Sequence, residues 1–408
     1  MTYLVVIAGL VGIVFIHEVG HFGVALLVGM RPRSFYVGFP PALVKIKRRG
    51  IEYGLGMIPL GGYVRIPGMH RPAARDLQSL LGPAIEEESS LAPAALRVRR
   101  ALAAEDFDAA RAAYPDLEED VAAASLSPGA RRAAVRALRD VEEGTAPDAY
   151  WRAPTWKRIV VIAAGPAANV MAAFLILLVV NNISGVPGPN SPAAVAKVYP
   201  HTPAAIAGMK TGDLIVDVNG RHATVGSLPE IIRLNRGQPL ALLVARHGDL
   251  LRLDAPPPVR LDGKWILGVD LTPIPIPYAF GASTRAAAAN LWSITSGTVT
   301  GLASLARTQQ TDDLTSGIGI ARYSAAALRV SIAWYFQILA LVSMSLALLN
   351  LIPLLPLDGG HILFSLIEGV RRRALAREVY ERVSLVGLAF IVLLTVIALR
   401  NDTRHFFG

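Results

Sequence analysis

Three ionisable side chains stand inside the first apolar stretch of the sequence, in the run His17-Glu18-Val19-Gly20-His21. On a helix, residues four apart share one face, so the imidazoles of His17 and His21 can bind the same metal ion. Glu18 stands beside His17, where its carboxylate can act as a base toward a water that the metal activates. A charged acid at the centre of a membrane-spanning helix costs roughly 2.5 kcal/mol or more, which favours a chemical role for this cluster.

Two histidines leave a zinc ion one ligand short, because catalytic zinc sites have three protein ligands and one open position. The chain has no cysteine, so the third donor must be His, Asp or Glu. Asp358 and His361 are the remaining groups that can reach membrane depth. Prolines interrupt the third apolar stretch before Asp358 and two glycines follow it, so its carboxylate can turn inward and we expect it to be the ligand. Alternatively, Asp358 caps a helix over about 361–370. His361 is expected to cap, pack or tune the site, with ligation as its alternative role.

Four stretches are long and apolar enough to cross a bilayer, which takes about 20 helical residues. They are Tyr3–Val28, Ile159–Asn181, Ile332–Leu355 and Val383–Leu399. The first could instead be a cleaved signal peptide, but it lacks a basic start and runs too long for one. With 53% hydrophobic and 17% charged residues, the 408-residue chain is predicted to be a polytopic α-helical membrane protein with soluble parts.

Basic residues beside the apolar stretches account for the net charge of +9, which argues against nucleic-acid binding. They follow the first stretch, precede the second and separate the third from the fourth, so four crossings place them all on one side. The positive-inside rule makes that side the cytosol and puts both termini outside the cell membrane. The metal site then opens toward the cytosol, and the segment after the second stretch lies outside.

Between the first two apolar stretches, Val44–Arg48 and Ile51–Ile58 alternate around Arg49-Gly50, as in a membrane-associated β-hairpin. Pro59 to Val64 is predicted to add a turn and a short strand. From about 72 to 148 the composition shifts to Ala, Arg, Glu and Asp, which predicts a soluble helical insertion, most clearly at 106–113 and 130–143.

After a Gly/Pro-rich linker from Gly185 to Ser191, the segment Pro203–Ile215 leads into Val218-Asn219-Gly220. This series of short helix, Gly-Asp turn, alternating strand and Asn-Gly turn resembles a PDZ domain, which binds an extended peptide at a sheet edge. The alternative is a generic small β-rich domain without a ligand. From about 278 the chain is weakly amphipathic, and Thr315 to Ile320 is predicted to form a turn or loop.

These features divide the chain into a first membrane helix with the hairpin (1–68), a soluble insertion (69–153), a second membrane helix (154–184), a PDZ-like domain (190–274), an amphipathic connector (278–331) and the third and fourth membrane helices (332–408).

The order of the motifs resembles the site-2 protease family of intramembrane zinc metalloproteases. The resemblance rests on the HEVGH run, Pro59-Leu60-Gly61-Gly62-Tyr63-Val64, Gly165-Pro166-Ala167-Ala168-Asn169, the PDZ-like segment and the run from Asn350 to Gly360. It covers nearly the whole chain except about 72–148. The chain departs from the family pattern at Leu355, where the family commonly has proline, and after Ser316-Gly317, where a proline is also usual.

The resemblance implies that His17, His21 and Asp358 bind one Zn²⁺ ion and that Glu18 is the catalytic acid/base. It further implies that Asn350 holds the substrate near the metal. Family substrates are single-span membrane proteins already shortened by another protease, including anti-sigma factors and remnant signal peptides. A locally unwound substrate is expected to add to an edge of the hairpin at 44–58. Two other classes stay open: an inactive scaffold that binds peptides through the PDZ-like domain, and a membrane zinc transporter or sensor.

Overall fold

The computed structural model describes residues 1–185, 191–261, 263–308, 315–375 and 377–407. It divides into two compact units, one formed by 1–174 with 291–408 and the other by 175–290. Residues 186–190 of the predicted linker lie outside the described residues.

The secondary structure, in chain order, begins with α1 (Thr2–Leu27), β1 (Ser34–Arg48), β2 (Ile51–Arg65), α2 (Ala74–Glu87), α3 (Ala92–Ala103), α4 (Phe107–Ala123), α5 (Pro128–Thr145) and α6 (Thr155–Ile183). It continues with β3 (Ala193–Val198), α7 (Pro203–Ile206), β4 (Leu214–Val218), β5 (Arg221–His222), α8 (Leu228–Leu234), β6 (Leu240–Arg246), β7 (Asp249–Ala255), β8 (Val259–Leu261), β9 (Lys264–Ile266) and β10 (Val269–Pro273). The last elements are α9 (Phe280–Thr308), α10 (Gly317–Val330), α11 (Ile332–Asn350), α12 (Asp358–Arg371) and α13 (Arg377–Phe407).

The prediction of four membrane-spanning helices is confirmed within the described residues: α1, α6, α11 and α13 are long and apolar enough to cross a bilayer. The predicted end of the third span at Leu355 was wrong, because helix α11 ends at Asn350. Residues 351–357 form a loop instead. Pro353 and Pro356 lack the N–H groups that a continuing helix needs, so the chain leaves the helix before them.

Strands β1 and β2 form a small sheet that is more extensive than the predicted hairpin. Around the turn at Arg49-Gly50, residues 44–48 face 51–55. Residues 34–37 face two segments of β2, with 52–55 on one side and 62–65 on the other. Among the described residues, 44–48 and 62–65 therefore lie at the two outer sides of this sheet. Strand β2 is continuous to Arg65, but 52–55 runs parallel to 34–37 and 62–65 runs antiparallel to it. The chain therefore reverses direction between 55 and 62, as the predicted turn and short strand require.

The insertion consists of α2 to α5, whose apolar faces bury a core around Leu81, Leu91, Val98 and Leu117. Its outer face is tied to the start of the fourth span. Arg377 Nη1 lies 2.9 Å from Asp140 Oδ2 and 3.8 Å from Asp76 Oδ2, and Arg75 pairs with Glu378. These ion pairs join the insertion to α13 at the end of the span.

At its other end, α13 is tied to α10 through Asp402, which is 6% exposed. Asp402 Oδ2 accepts hydrogen bonds from the backbone N–H groups of Ser316 and Gly319, at 3.1 and 3.0 Å, and from the Ser316 hydroxyl. The predicted loop at 315–320 was wrong from Gly317 onward, since α10 begins there with Ser316 as its N-cap. The hydroxyl of Ser316 and the carboxylate of Asp402 satisfy N–H groups that the first helical turn leaves unpaired.

The second unit is built on a sheet with the strand order β10-β3-β4-β6-β7, and β5 pairs with β4. Asn219 and Gly220 both have positive φ angles, of 54° and 77°, which suits the tight turn between β4 and β5. Asp213, which precedes β4 and is 1% exposed, accepts two hydrogen bonds from the Arg246 guanidinium. That guanidinium holds the pKa of Asp213 below its ordinary value.

Candidate metal centre

Helix α1 places His17 and His21 one turn apart on a buried face. The two side chains are buried, and their Nε2 atoms lie 3.2 Å apart. Side chains at i and i+4 are neighbours on a helix surface, so the spacing alone brings the two rings together. Their shared direction defines the point at which a third donor would complete a metal site.

Asp358 supplies that third donor as the first residue of α12. Its Oδ2 atom lies 3.2 Å from His17 Nε2 and 3.4 Å from His21 Nε2. The alternative in which Asp358 caps this helix was wrong, because the N-cap is Leu357. Gly359 packs against the backbone of Leu351 so closely that a side chain at this position would collide with it. The glycine thus allows the loop at 351–357 to fold back and present Asp358.

The three donor atoms fit a zinc ion in number, chemistry and spacing. Ligands about 2.0–2.1 Å from a tetrahedral ion stand roughly 3.3–3.4 Å from one another. In the structure the three donor atoms are 3.2, 3.2 and 3.4 Å apart. The buried Oδ2 atom of Asp358 has no hydrogen-bond donor among the described residues, as expected for an atom that faces a cation. His361 is not part of this group; its ring lies 6.5 Å from that of Tyr380.

Helix α6 orients both imidazoles through their second nitrogen atoms. His21 Nδ1 lies 2.9 Å from the carbonyl oxygen of Val161, an acceptor that requires the proton on Nδ1 and leaves Nε2 free to bind metal. His17 Nδ1 lies 3.3 Å from the side-chain amide of Asn169, whose Oδ1 atom has no partner within the described structure. Half a turn of this amide brings Oδ1 to His17 Nδ1, so the amide then plays the same part as the Val161 carbonyl.

Asn169 is a site residue that the sequence reasoning missed, although the motif containing it was noticed. It is fully buried in an apolar helix. A buried amide in a membrane-spanning segment requires a hydrogen-bond partner. This requirement could have identified Asn169 as a site residue from the sequence. The identity of the partner depends on how α6 packs against α1, which no local pattern reveals.

We expect Asn169→Leu to weaken zinc binding by about 10- to 100-fold, because loss of a residue that orients a metal ligand has effects of this size. The measurement is zinc competition between the purified full-length protein and a chelator. The same substitution at Asn182, an exposed residue of the same helix, is the control. Equal zinc affinity of the Asn169 variant and the control would contradict the role of Asn169.

A close approach between α1 and α6 brings these partners together. Gly20 of α1 lies against the backbone of Ala164, and the space where Gly165 would carry a side chain is taken by the rings of His17 and His21. The two glycines therefore let the helices meet at backbone distance. This contact sets how far α6 stands from the face of α1 that carries His17 and His21.

Glu18 lies on α1 next to His17 but outside the group of three donors. The backbone N–H of Val64 donates to its carboxylate, and Gly62 packs against its side chain. A Cβ atom at Gly62 would stand 2.9 Å from Glu18 Cγ. Strand β2 thus holds a carboxylate beside the three donors without adding it to them, as a general base requires.

Asn350 ends α11 beside the same centre. Its Nδ2 atom lies 3.4 Å from His17 Nε2. The amide is partly buried and has donor capacity left for another molecule. Four separate elements, α1, α6, α11 and α12, therefore converge on one point.

Comparison with known proteins indicates the same metal, zinc, as this geometry. The model of peptidase family M50 matches residues 5–394. The chain is 27% identical to the regulator of sigma-W protease RasP of Bacillus subtilis, over 97% of this chain and 96% of that protein. It is 26% identical to the zinc metalloprotease RasP of Geobacillus kaustophilus, over 100% and 98% of the two chains, and 26% identical to that of Bacillus licheniformis, over 97% of each. The chain therefore belongs to peptidase family M50, the zinc metallopeptidases of the site-2 protease type.

Proposed function

We propose that this zinc metallopeptidase cleaves peptide bonds within or next to the membrane-spanning segments of single-span membrane proteins. In this proposal His17, His21 and Asp358 hold the zinc ion, Glu18 is the acid/base and Asn350 positions the substrate. The observation that carries the proposal is the convergence of three zinc-type donors with Glu18 beside them, on helices long and apolar enough to span a membrane.

The chain's own residues account for each proton movement of the hydrolysis. Zinc, when bound, makes water an effective nucleophile at neutral pH and polarises a carbonyl group. Glu18 accepts the proton of the attacking water and returns it to the amide nitrogen that leaves. Val161 and Asn169 keep the rings of His17 and His21 aimed at the centre, and the amide of Asn350 can donate to a substrate carbonyl.

Comparative proteomics tests this proposal directly. Membranes of cells carrying Glu18→Gln should accumulate shortened single-span proteins that wild-type membranes lack. The shortened ends should lie outside the span, because the earlier cut has occurred and the cut in the membrane has not. Identical sets of membrane proteins in the two strains would contradict the proposed substrate class.

A substrate helix must unwind before it can be cut, because each of its peptide groups is already hydrogen-bonded within the helix. Pairing with a sheet edge replaces those hydrogen bonds. Within the hairpin at 44–58, the stretch 52–55 has neighbours on both sides and cannot accept a further strand. The described part of the sheet has two outer segments, 44–48 and 62–65. Segment 62–65 contacts Glu18 through Gly62 and Val64, so we propose that the substrate pairs with 62–65.

The lack of cysteine allows this edge to be identified by disulfide trapping. Glu18→Gln, which should bind but not cut, is combined with Tyr63→Cys, and cysteines are placed one at a time along the span of a trapped substrate. We expect Tyr63→Cys to give a cross-link near the cleavage position, because neighbouring strands hold Cβ atoms about 4.5–5.5 Å apart. The cross-linked species is detected by non-reducing electrophoresis.

Lys45→Cys is the matched control, since Lys45 lies on the opposite outer side of the same sheet. It should give little cross-linking with the same substrate positions. Efficient cross-linking at Lys45→Cys and none at Tyr63→Cys would place the substrate beside 44–48 and contradict pairing with 62–65.

The second unit supports a proposal of peptide binding in the manner of a PDZ domain. Strand β10 ends the sheet and pairs only with β3 among the described strands, so its other side is available to an added strand. Gly268, with a φ of 90°, turns the backbone just before β10. We further propose that the basic loops face the cytosol and that this unit lies outside, because Lys and Arg cluster beside the spans as the positive-inside rule requires.

A further inference from the structure

A cavity of about 830 Å³ lies between the turn of the β1–β2 sheet and the C-terminal end of α1. Its volume is in the range of small-molecule sites. Its lining falls into two classes, cationic and apolar. The cationic side chains are Arg31, Arg33, Arg48 and Arg49, and the apolar and aromatic ones include Leu26, Ile46, Ile51 and Tyr53.

Three of the four cations have no anionic partner within the described parts of the chain. Arg33 is neutralised by Asp148, with hydrogen bonds of 3.1 and 3.0 Å to the two carboxylate oxygens. No salt bridge reaches Arg31, Arg48 or Arg49 among the described residues. Glu52, just after the turn, accepts a hydrogen bond from the hydroxyl of Tyr36 and lies 3.9 Å from Lys45 Nζ, so it pairs with none of these three arginines. The rim of the cavity therefore carries an uncompensated positive charge.

The turn that carries these cations adopts an unfavourable conformation for arginine. Arg49 has a φ of 52°, in the left-handed region where Asn, Asp or Gly is usual at the first central position of such a turn. Asn, Asp or Gly would suit this backbone better but would carry no positive charge. Arg49 therefore adds a cation to the rim at the expense of a favourable backbone conformation. The unfavourable backbone points to a use for that charge.

The apolar part of the cavity continues the exposed apolar surface at the end of α1. Leu26 and Leu27, at the end of the first span, are 42% and 86% exposed. Ile46 and Val44, on the same face of β1, are each 65% exposed. An apolar floor at the end of a membrane-spanning helix and a cationic rim beyond it match the acyl chains and the phosphate of one lipid.

We infer that this cavity binds an anionic phospholipid, with the headgroup phosphate between Arg31, Arg48 and Arg49 and an acyl chain against Leu26 and Ile46. The lipid holds the outer strand at 44–48 in the leaflet where α1 ends. The opposite outer segment, 62–65, stays free for another strand.

Native mass spectrometry of the full-length protein tests this inference, using detergent micelles that contain equal amounts of phosphatidylglycerol and phosphatidylcholine. Wild-type protein should retain one phosphatidylglycerol in preference to phosphatidylcholine. The double variant Arg48→Gln with Arg49→Gln should lower that preference about 25-fold, because each cation near an anionic membrane surface strengthens association roughly fivefold. Ile46→Ser should reduce the retention of both lipids.

The matched control is Arg371→Gln with Arg373→Gln, which removes two exposed cations at the end of α12. It should behave as wild type. An equal loss of phosphatidylglycerol preference in both double variants would assign that preference to diffuse surface charge. Unchanged preference in both variants would show that the cavity does not bind the phosphate. Displacement of phosphatidylglycerol by inorganic phosphate alone would also overturn the inference, since the apolar floor would then contribute nothing. Zinc content, measured in parallel, reports whether each variant is folded.

Discussion

Glu18→Gln should lower peptide cleavage by about 10²- to 10⁴-fold and leave the zinc content unchanged. General acid–base catalysis contributes factors of this size, and glutamine keeps the shape of glutamate while it cannot accept a proton. Zinc should remain because Glu18 is outside the group formed by His17, His21 and Asp358. The measurements are cleavage of a reconstituted single-span substrate and metal analysis of the same sample.

Two control variants distinguish loss of the base from loss of the metal. Glu119→Gln changes an exposed residue of the insertion and should alter neither cleavage nor zinc content. Asp358→Asn should lose both. Loss of zinc from Glu18→Gln would make Glu18 a ligand instead of a base. A zinc transporter would keep most of its transport activity in Glu18→Gln, and a scaffold would show no cleavage even in the wild type.

The second large effect is expected for Gly165→Ala, which should weaken zinc binding by at least about 100-fold. A Cβ atom at this position would stand 2.8 Å from His17 Nε2 and nearer still to His21 Nε2. Contacts below 3.0 Å are essentially never made by real Cβ atoms, so the rings or the helices must move. Because the rings are held by Val161 and Asn169 of the same helix, neither can turn away without losing its partner.

Gly12→Ala provides the comparison, since a Cβ atom there meets nothing within 4 Å. Alanine is also the better helix former, so this variant should bind zinc as the wild type does. Zinc affinity is measured by chelator competition, and helix content by circular dichroism. Normal zinc affinity in Gly165→Ala would show that α6 stands farther from His17 and His21 than the structure places it.

The parts of the site that are local in sequence were predictable. The spacing of His17 and His21 and the apolar surroundings of Glu18 follow from helix periodicity and from the cost of charge in lipid. Asp358 was predictable because few polar groups can reach membrane depth, and the structure brings it within 3.4 Å of both histidines. Its position at the start of a helix was not predicted, since the helix was expected to begin three residues later.

The features that were missed depend on contacts between distant segments. The role of Asn169 requires α6 to pack against α1, and the need for glycine at 165 arises from the same packing. Residues 34–37 form the centre of the small sheet, but a short strand with partners on both sides has no simple alternation to reveal it. Long-range pairing of this kind is set by the whole fold, so a local pattern underdetermines it.

Polar contacts attach the fourth span, α13, to the rest of the protein at both of its ends. Arg377 fastens one end to the insertion, and Asp402 fastens the other to the start of α10. Between them Gly387 rests on the backbone of Leu355, in the loop that presents Asp358. A helix attached at both ends moves by bending along its length or by breaking the polar contacts at one end, and not by swinging aside as a rigid body. Any widening of the bundle beside α13 must therefore flex the loop under Asp358 or release a polar anchor outside the apolar core.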